Sequence, residues 1–106
     1  MYNESLLGET LRVLKDRELR PEDVQYVLTS EVWMTWEEFA NAAKKVYYDS
    51  GYGWQEVDPS LTVIGTDWWL ERAEYDGSEW WRFCTVPLRS VQQHDPNVSL
   101  VYKWWQ

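Results

Sequence analysis

The chain has 106 residues, 44% of them hydrophobic and 17% aromatic, with nine tryptophans and a formal net charge of −8. That length suits one domain, residues 1–106, with a modest core, and the aromatic weight argues against disorder. The acidity disfavours direct contact with nucleic acid or an anionic membrane and favours a basic partner, or serves solubility alone.

The charge is uneven. Residues 1–48 carry net −3, residues 49–79 carry eight acids against Arg72 alone, and residues 80–106 carry net +2. The lone cysteine, Cys84, has no partner within the chain for a disulfide and reads as a small hydrophobe in a strand. The opening Met1-Tyr2-Asn3-Glu4 lacks a basic, signal-like start, and no stretch approaches the roughly 20 apolar residues of a membrane span. The expectation is a soluble protein of the cytoplasm.

In chain order, residues 4–18 read as a helix capped by Asn3. Leu6, Leu7, Leu11 and Leu14 form its stripe, and Leu7, Leu11 and Leu14 are expected to dock on a sheet. Pro21-Glu22-Asp23 either opens a second helix or precedes a strand over 24–29, and the β-branched content favours the strand. Residues 35–46 read as a helix with a capping box, Thr35 at the cap and Glu38 three residues on, and a Met34–Phe39 staple. Its inward stripe is Phe39, Ala42, Ala43 and Val46, and Lys44 and Lys45 suit the last turn. Residues 47–54 form a loop dense in Tyr, Gly and Asp. It is either a binding loop or a connection pinned by aromatic packing. Residues 61–64 read as a short strand, 92–97 as a turn around His94, and 98–105 as a segment of strand character.

The clearest signal is DWWLERAEYDGSEWWRFCTV, residues 67–86. Asp76-Gly77 supplies the positive φ angles of a two-residue type I′ turn, so 67–75 and 78–86 read as the arms of an antiparallel hairpin. With Tyr75 opposite Ser78, one face carries Trp68, Leu70, Arg72 and Glu74 against Thr85, Phe83, Trp81 and Glu79. The other carries Trp69, Glu71, Ala73 and Tyr75 against Cys84, Arg82, Trp80 and Ser78. Arg72 can lie over Trp81, and Glu71 faces Arg82. Neither face is cleanly polar. Either helices and loops cover part of both, or one tryptophan-bearing face stays open as a binding platform. The fold class that follows is α+β, a small antiparallel sheet of three to five strands with one or two packed helices.

Little here points to catalysis. One histidine and one cysteine do not make a clustered metal site, and a Cys84–His94 dyad lacks any local signature. No glycine-rich phosphate loop and no nucleophile elbow occur. Pairs of carboxylates arise by chance in so acidic a chain, which leaves an acid/base pair as a bare possibility of composition. The expectation is no enzymatic activity and no cofactor.

MTWEEF opening a helix, then YYDSGYGWQEV, then LTVIGTDWWLERAEYDGSEWWRF resembles small uncharacterised proteins encoded by bacteriophages and prophages. The resemblance covers residues of about 24–87 and is specific in the hairpin. It implies an accessory factor acting in the cytoplasm of a bacterial host, and some such factors block host defence nucleases. Two functions of different class follow. One is a non-enzymatic, anti-CRISPR-like inhibitor that binds a basic, nucleic-acid-handling host protein. Its contact residues would be Asp67, Trp69, Glu71, Glu74, Asp76, Glu79 and Trp80, carboxylates standing in for phosphates and indoles supplying hot spots. The other is a binding module whose tryptophans stack on a glycan or peptide. A phage assembly or regulatory subunit acting as a homo-oligomer is a third.

Overall fold

The computed structural model describes residues 4–49, 51, 53–87, 96–97 and 101. Helix α1 spans Leu6–Asp16, and its cap is Ser5, whose Oγ accepts from the Gly8 amide at 3.0 Å. The expected cap, Asn3, lies outside the described residues. The helix stops two residues earlier than expected because Glu18 takes a left-handed φ of 58°. Glu18 N–H then bonds to Lys15 O and Leu19 N–H to Leu14 O, a Schellman closure that satisfies the last carbonyls. Leu19 packs on the core behind it.

Pro21–Asp23 is a single 3-10 turn, and the strand expected over 24–29 narrows to β1, Tyr26–Leu28. Strand β2, Trp33–Met34, returns beside it and leads directly into helix α2, Trp36–Ala43. The capping box forms as expected: Glu38 N–H donates to Thr35 Oγ1 at 3.2 Å, and Thr35 N–H donates to Glu38 Oε1 at 2.9 Å. The helix ends at Ala43, short of the expected Val46, so Lys44 and Lys45 follow it rather than fill its last turn. The chain is drawn away there by the start of α1. Leu6 N–H bonds to Val46 O at 2.7 Å, and Tyr47 bridges Ser5 in antiparallel fashion.

Strands β3 (Thr62–Ile64), β4 (Trp68–Tyr75) and β5 (Ser78–Thr85) complete an antiparallel sheet ordered β2-β1-β3-β4-β5. With two α-helices and five strands among the described residues, the α+β architecture stands as read from sequence. Between β3 and β4 the chain turns at Gly65, where a Cβ would fall 2.0 Å from the Trp68 indole; only glycine lets that ring lie down. The hairpin register is the expected one at all eight pairs, from Trp68 opposite Thr85 to Tyr75 opposite Ser78. Asp76 and Gly77 take φ of 51° and 86°, as a type I′ turn requires.

The pairing lines up an apolar row across all five strands: Met34, Val27, Val63, Leu70 and Phe83. Because facing residues in a sheet share a side, this row marks the core face. Leu6 and Leu14 of α1 and Phe39 and Ala43 of α2 join it in one buried cluster. Two expectations about the helix faces fail. Leu11 is exposed and does not dock; Glu9 and Thr10 are buried instead, between Leu6 and Leu14. Ala42 and Val46 are exposed as well, and they line an open apolar recess with Leu6, Met34 and Leu61.

Among the described residues no helix is long and apolar enough to cross a membrane. Residues 96–97 form part of a turn and Val101 sits in a bend. The rest of the loop around His94 and of the strand expected over 98–105 lies outside the described residues.

Candidate functional site

The two faces of the hairpin carry two different chemistries. On the core face Arg72 is buried. Its Nη1 donates to Glu9 Oε1 at 3.0 Å, and its Nη2 donates to Glu79 Oε1 at 2.9 Å and to the Tyr48 hydroxyl at 3.2 Å. The guanidinium carbon lies 4.7 Å from the Trp81 ring centre, as the hairpin register suggested, and 5.4 Å from that of Tyr48. Tyr48 donates its hydroxyl proton to Glu9 in turn. Trp81 Nε1 donates to Thr10 Oγ1 at 2.9 Å, and Thr10 donates to the Leu6 carbonyl. Helix α1 is thereby stitched to the sheet by polar bonds as well as by leucines.

This arrangement perturbs its members in accountable ways. The Tyr48 phenol is pushed well above its usual range, first by burial and then by its bond to Glu9, so it stays a donor. For Arg72 burial alone would lower the pKa, but the bonds to Tyr48, Glu9 and Glu79 outweigh it and hold the cation. One guanidinium nitrogen, Arg72 Nε, is buried without a hydrogen-bond partner among the described residues.

Glu79 was expected among the contact residues. At 2% exposure it belongs to this interior instead. It sits on the core face, where its carboxylate also receives the backbone N–H groups of Glu56 at 2.7 Å and Val57 at 3.3 Å. With three protein donors and no solvent exposure of its side chain, this carboxylate is out of a partner's reach, and it anchors the incoming loop to the sheet.

The opposite face is more open. Glu71, half-buried, accepts from Trp69 Nε1 at 2.9 Å, Arg82 Nη2 at 3.0 Å and the Cys84 thiol at 3.0 Å. Those bonds, Cys84 first, then Trp69 and Arg82, pull its pKa down to about 2. Burial followed by the neighbouring carboxylate pushes the Cys84 thiol up, which suits a protonated donor and not a nucleophile. Trp80 is 43% exposed on the same face, and Trp69 is half-buried.

The remaining expected contact residues separate along the hairpin. Asp67 is exposed at the entry to β4, where its carbonyl receives the Val86 N–H. Glu74 and Asp76 are exposed at the far end, Glu74 accepting from the Gly77 N–H at 2.9 Å. Gly51 and Gly53 meet that turn: a Cβ on Gly77 would stand 2.3 Å from the Gly53 carbonyl oxygen, and the Ser78 hydroxyl donates to Gly51 O at 3.4 Å. Together they frame an open cleft of about 690 Å³ lined by Gly51, Gly53, Trp54, Tyr75, Asp76 and Ser78.

Sequence reasoning missed Glu9 and Tyr48 as partners of Arg72, Thr10 as the acceptor for Trp81, and Trp54 as a neighbour of the turn. A signal existed for the helix pair. Leu6, Thr10 and Leu14 stand at i, i+4 and i+8, so Thr10 shares the buried face. Among the described residues no group of three His, Cys, Asp or Glu side chains is placed to hold a metal ion. No known protein family, curated protein or solved structure matches this chain.

Proposed function

We propose that this chain is a non-enzymatic acidic binding protein, a phage-type inhibitor that covers the basic surface of a nucleic-acid-handling host protein. The observation that carries this reading is at the turn end of the hairpin. Glu74 accepts from the Gly77 N–H and Asp76 is exposed in the turn itself, while Glu56 accepts from the Asp49 N–H and Asp49 from the Gly51 N–H; no ion pair with a cation engages any of these four among the described residues. Exposed Trp54 and Tyr75 line one cleft with Asp76, and Trp80 is exposed opposite Ala73 further along the hairpin. Carboxylates without internal cations remain available to external ones, and exposed indoles supply the apolar contacts that charge alone lacks. The two ion-paired glutamates of the hairpin, Glu71 and Glu79, are already engaged within the chain.

The test removes charge and keeps shape. A Glu56→Gln, Glu74→Gln, Asp76→Asn variant retains acceptors for the turn, and Asn tolerates the left-handed φ at 76. Against a CRISPR effector nuclease, wild type is expected to inhibit at low salt and less at high salt, and the neutralised variant is expected to lose inhibition with its fold intact by circular dichroism. Equal inhibition by both proteins would sink the proposal, as would failure of wild type to retain any basic nucleic-acid-handling protein from a bacterial lysate.

A further inference from the structure

We infer that the cleft bounded by Gly51, Gly53, Trp54 and the hairpin turn seats one arginine side chain of the protein's partner, stacked on Trp54 and Tyr75 and paired with Asp76. The inference rests on the proposed acidic binding function and specifies the contact at its centre. Trp54 and Tyr75 are 87% and 77% exposed, the two most exposed large apolar side chains among the described residues. Both face the same cleft, and its volume of about 690 Å³ accommodates a side chain together with part of the backbone that presents it.

The walls are fixed in place. Gly77 at φ 86° lets the Gly53 carbonyl approach where a side chain would stand, and Ser78 bonds to Gly51 from the other side. Gly53 itself takes φ 92°, a backbone conformation that favours glycine, and Trp54 after it lines the same cleft as Tyr75. A cleft with two aromatic walls and a carboxylate at its rim suits a cation. Of the two candidates arginine fits better. Its planar guanidinium stacks on rings and forks onto a carboxylate, whereas an ammonium is a compact, strongly hydrated charge.

The interior offers the same combination already filled. Arg72 lies over Trp81 and near Tyr48 and is held by Glu9 and Glu79. At the turn the aromatic pair and the acids recur, and no arginine of the described chain is there to occupy them. The charge around the cleft, from Asp49, Glu56, Glu74 and Asp76, has the sign that draws a guanidinium in.

The experiment titrates isotope-labelled wild type with the blocked tripeptide Gly-Arg-Gly, with its citrulline counterpart of equal shape and no charge, and with methyl glucoside. The readout is the Trp54 indole N–H resonance, identified by its disappearance in Trp54→Phe. Saturable movement of that signal and of the Gly53 and Gly77 amides is expected with the arginine peptide alone. Trp54→Ala and Tyr75→Ala are each expected to weaken that binding by about tenfold or more, at unchanged melting temperature, because neither ring is part of the core. Equal response to citrulline, response to the sugar alone, or no response overturns the inference. The two readings fail separately. If Trp54→Ala still captures a basic host protein at low salt as wild type does, the cleft is not the contact and the acidic-surface function stands. If the arginine peptide binds and no basic host protein is captured, the cleft stands and the function falls.

Discussion

Each face of the hairpin carries an arginine–glutamate pair and at least one tryptophan, yet the two faces are different objects. On the core face the side chains of Arg72 and Glu79 are 0% exposed, and the pair is closed off by Glu9, Tyr48, Trp81 and two backbone amides. On the other face Arg82 and Glu71 are 58% and 35% exposed, and their bond is one strand-surface contact among several. The residue types are matched, but the dielectric around them is not. A charge pair removed from water is held by many partners because each unpaired group there is expensive, whereas a wet pair gains little and gives up little. Formal charge counted along the sequence therefore overstates what this protein can offer another molecule. Glu79 contributes to the net charge and is invisible from outside.

The sharpest way to break this comparison is to remove one arginine at a time. Arg72→Met leaves Glu9 and Glu79 buried without their cation, and it is expected to lower the free energy of unfolding by about 3–5 kcal/mol in urea titrations. Arg82→Met, on the wet side, is expected to shift the urea midpoint only slightly. A comparable loss from both variants would mean that the two faces do not differ in the way their burial implies.

How much of this was readable beforehand follows from the range of the interactions. The hairpin register was legible residue by residue because Asp76-Gly77 fixes it locally: two positive φ angles and a two-residue loop leave one pairing. The capping box at Thr35 and Glu38 was legible for the same reason. Which hairpin face turns inward was not. Both faces hold apolar and charged residues, and the decision depends on partners at separations of 63 residues, between Arg72 and Glu9, and 71, between Trp81 and Thr10. Glu79 was placed on the contact surface for want of that information. The end of α2 was misjudged likewise, because the bond between Leu6 N–H and Val46 O that draws the chain off is non-local.

A second prediction asks whether the tip is as fixed as the core face beneath it. Gly77→Ala meets two obstacles, the φ of 86° and the Gly53 carbonyl oxygen 2.3 Å from the new Cβ. The expected loss is about 1–3 kcal/mol of unfolding free energy. The Trp54 resonance should move with it, because the loop must withdraw for the methyl group to fit. A stable variant with an unmoved Trp54 signal would show that the loop does not rest on the turn.

The smallest expected effect is also the most diagnostic of the open face. Glu71 is held at about 2 by Cys84, Trp69 and Arg82, whereas a glutamate in the unfolded chain titrates near about 4.3. Between those values the unfolded chain binds the proton that the folded chain refuses, so acid favours unfolding there. The contribution is complete above the unfolded value and disappears as the pH falls through the folded one. Since the side chain is about one-third exposed, solvent screening keeps it small. Glu71→Gln is therefore expected to destabilise slightly at neutral pH, and its deficit against wild type should close as the pH drops from about 5 to about 2. A deficit that widened toward acid would reverse the sign and mean that the carboxyl is protonated in the fold. The face would then be as dry as its opposite, and the difference between the two sides of the ribbon would be one of residues and not of water.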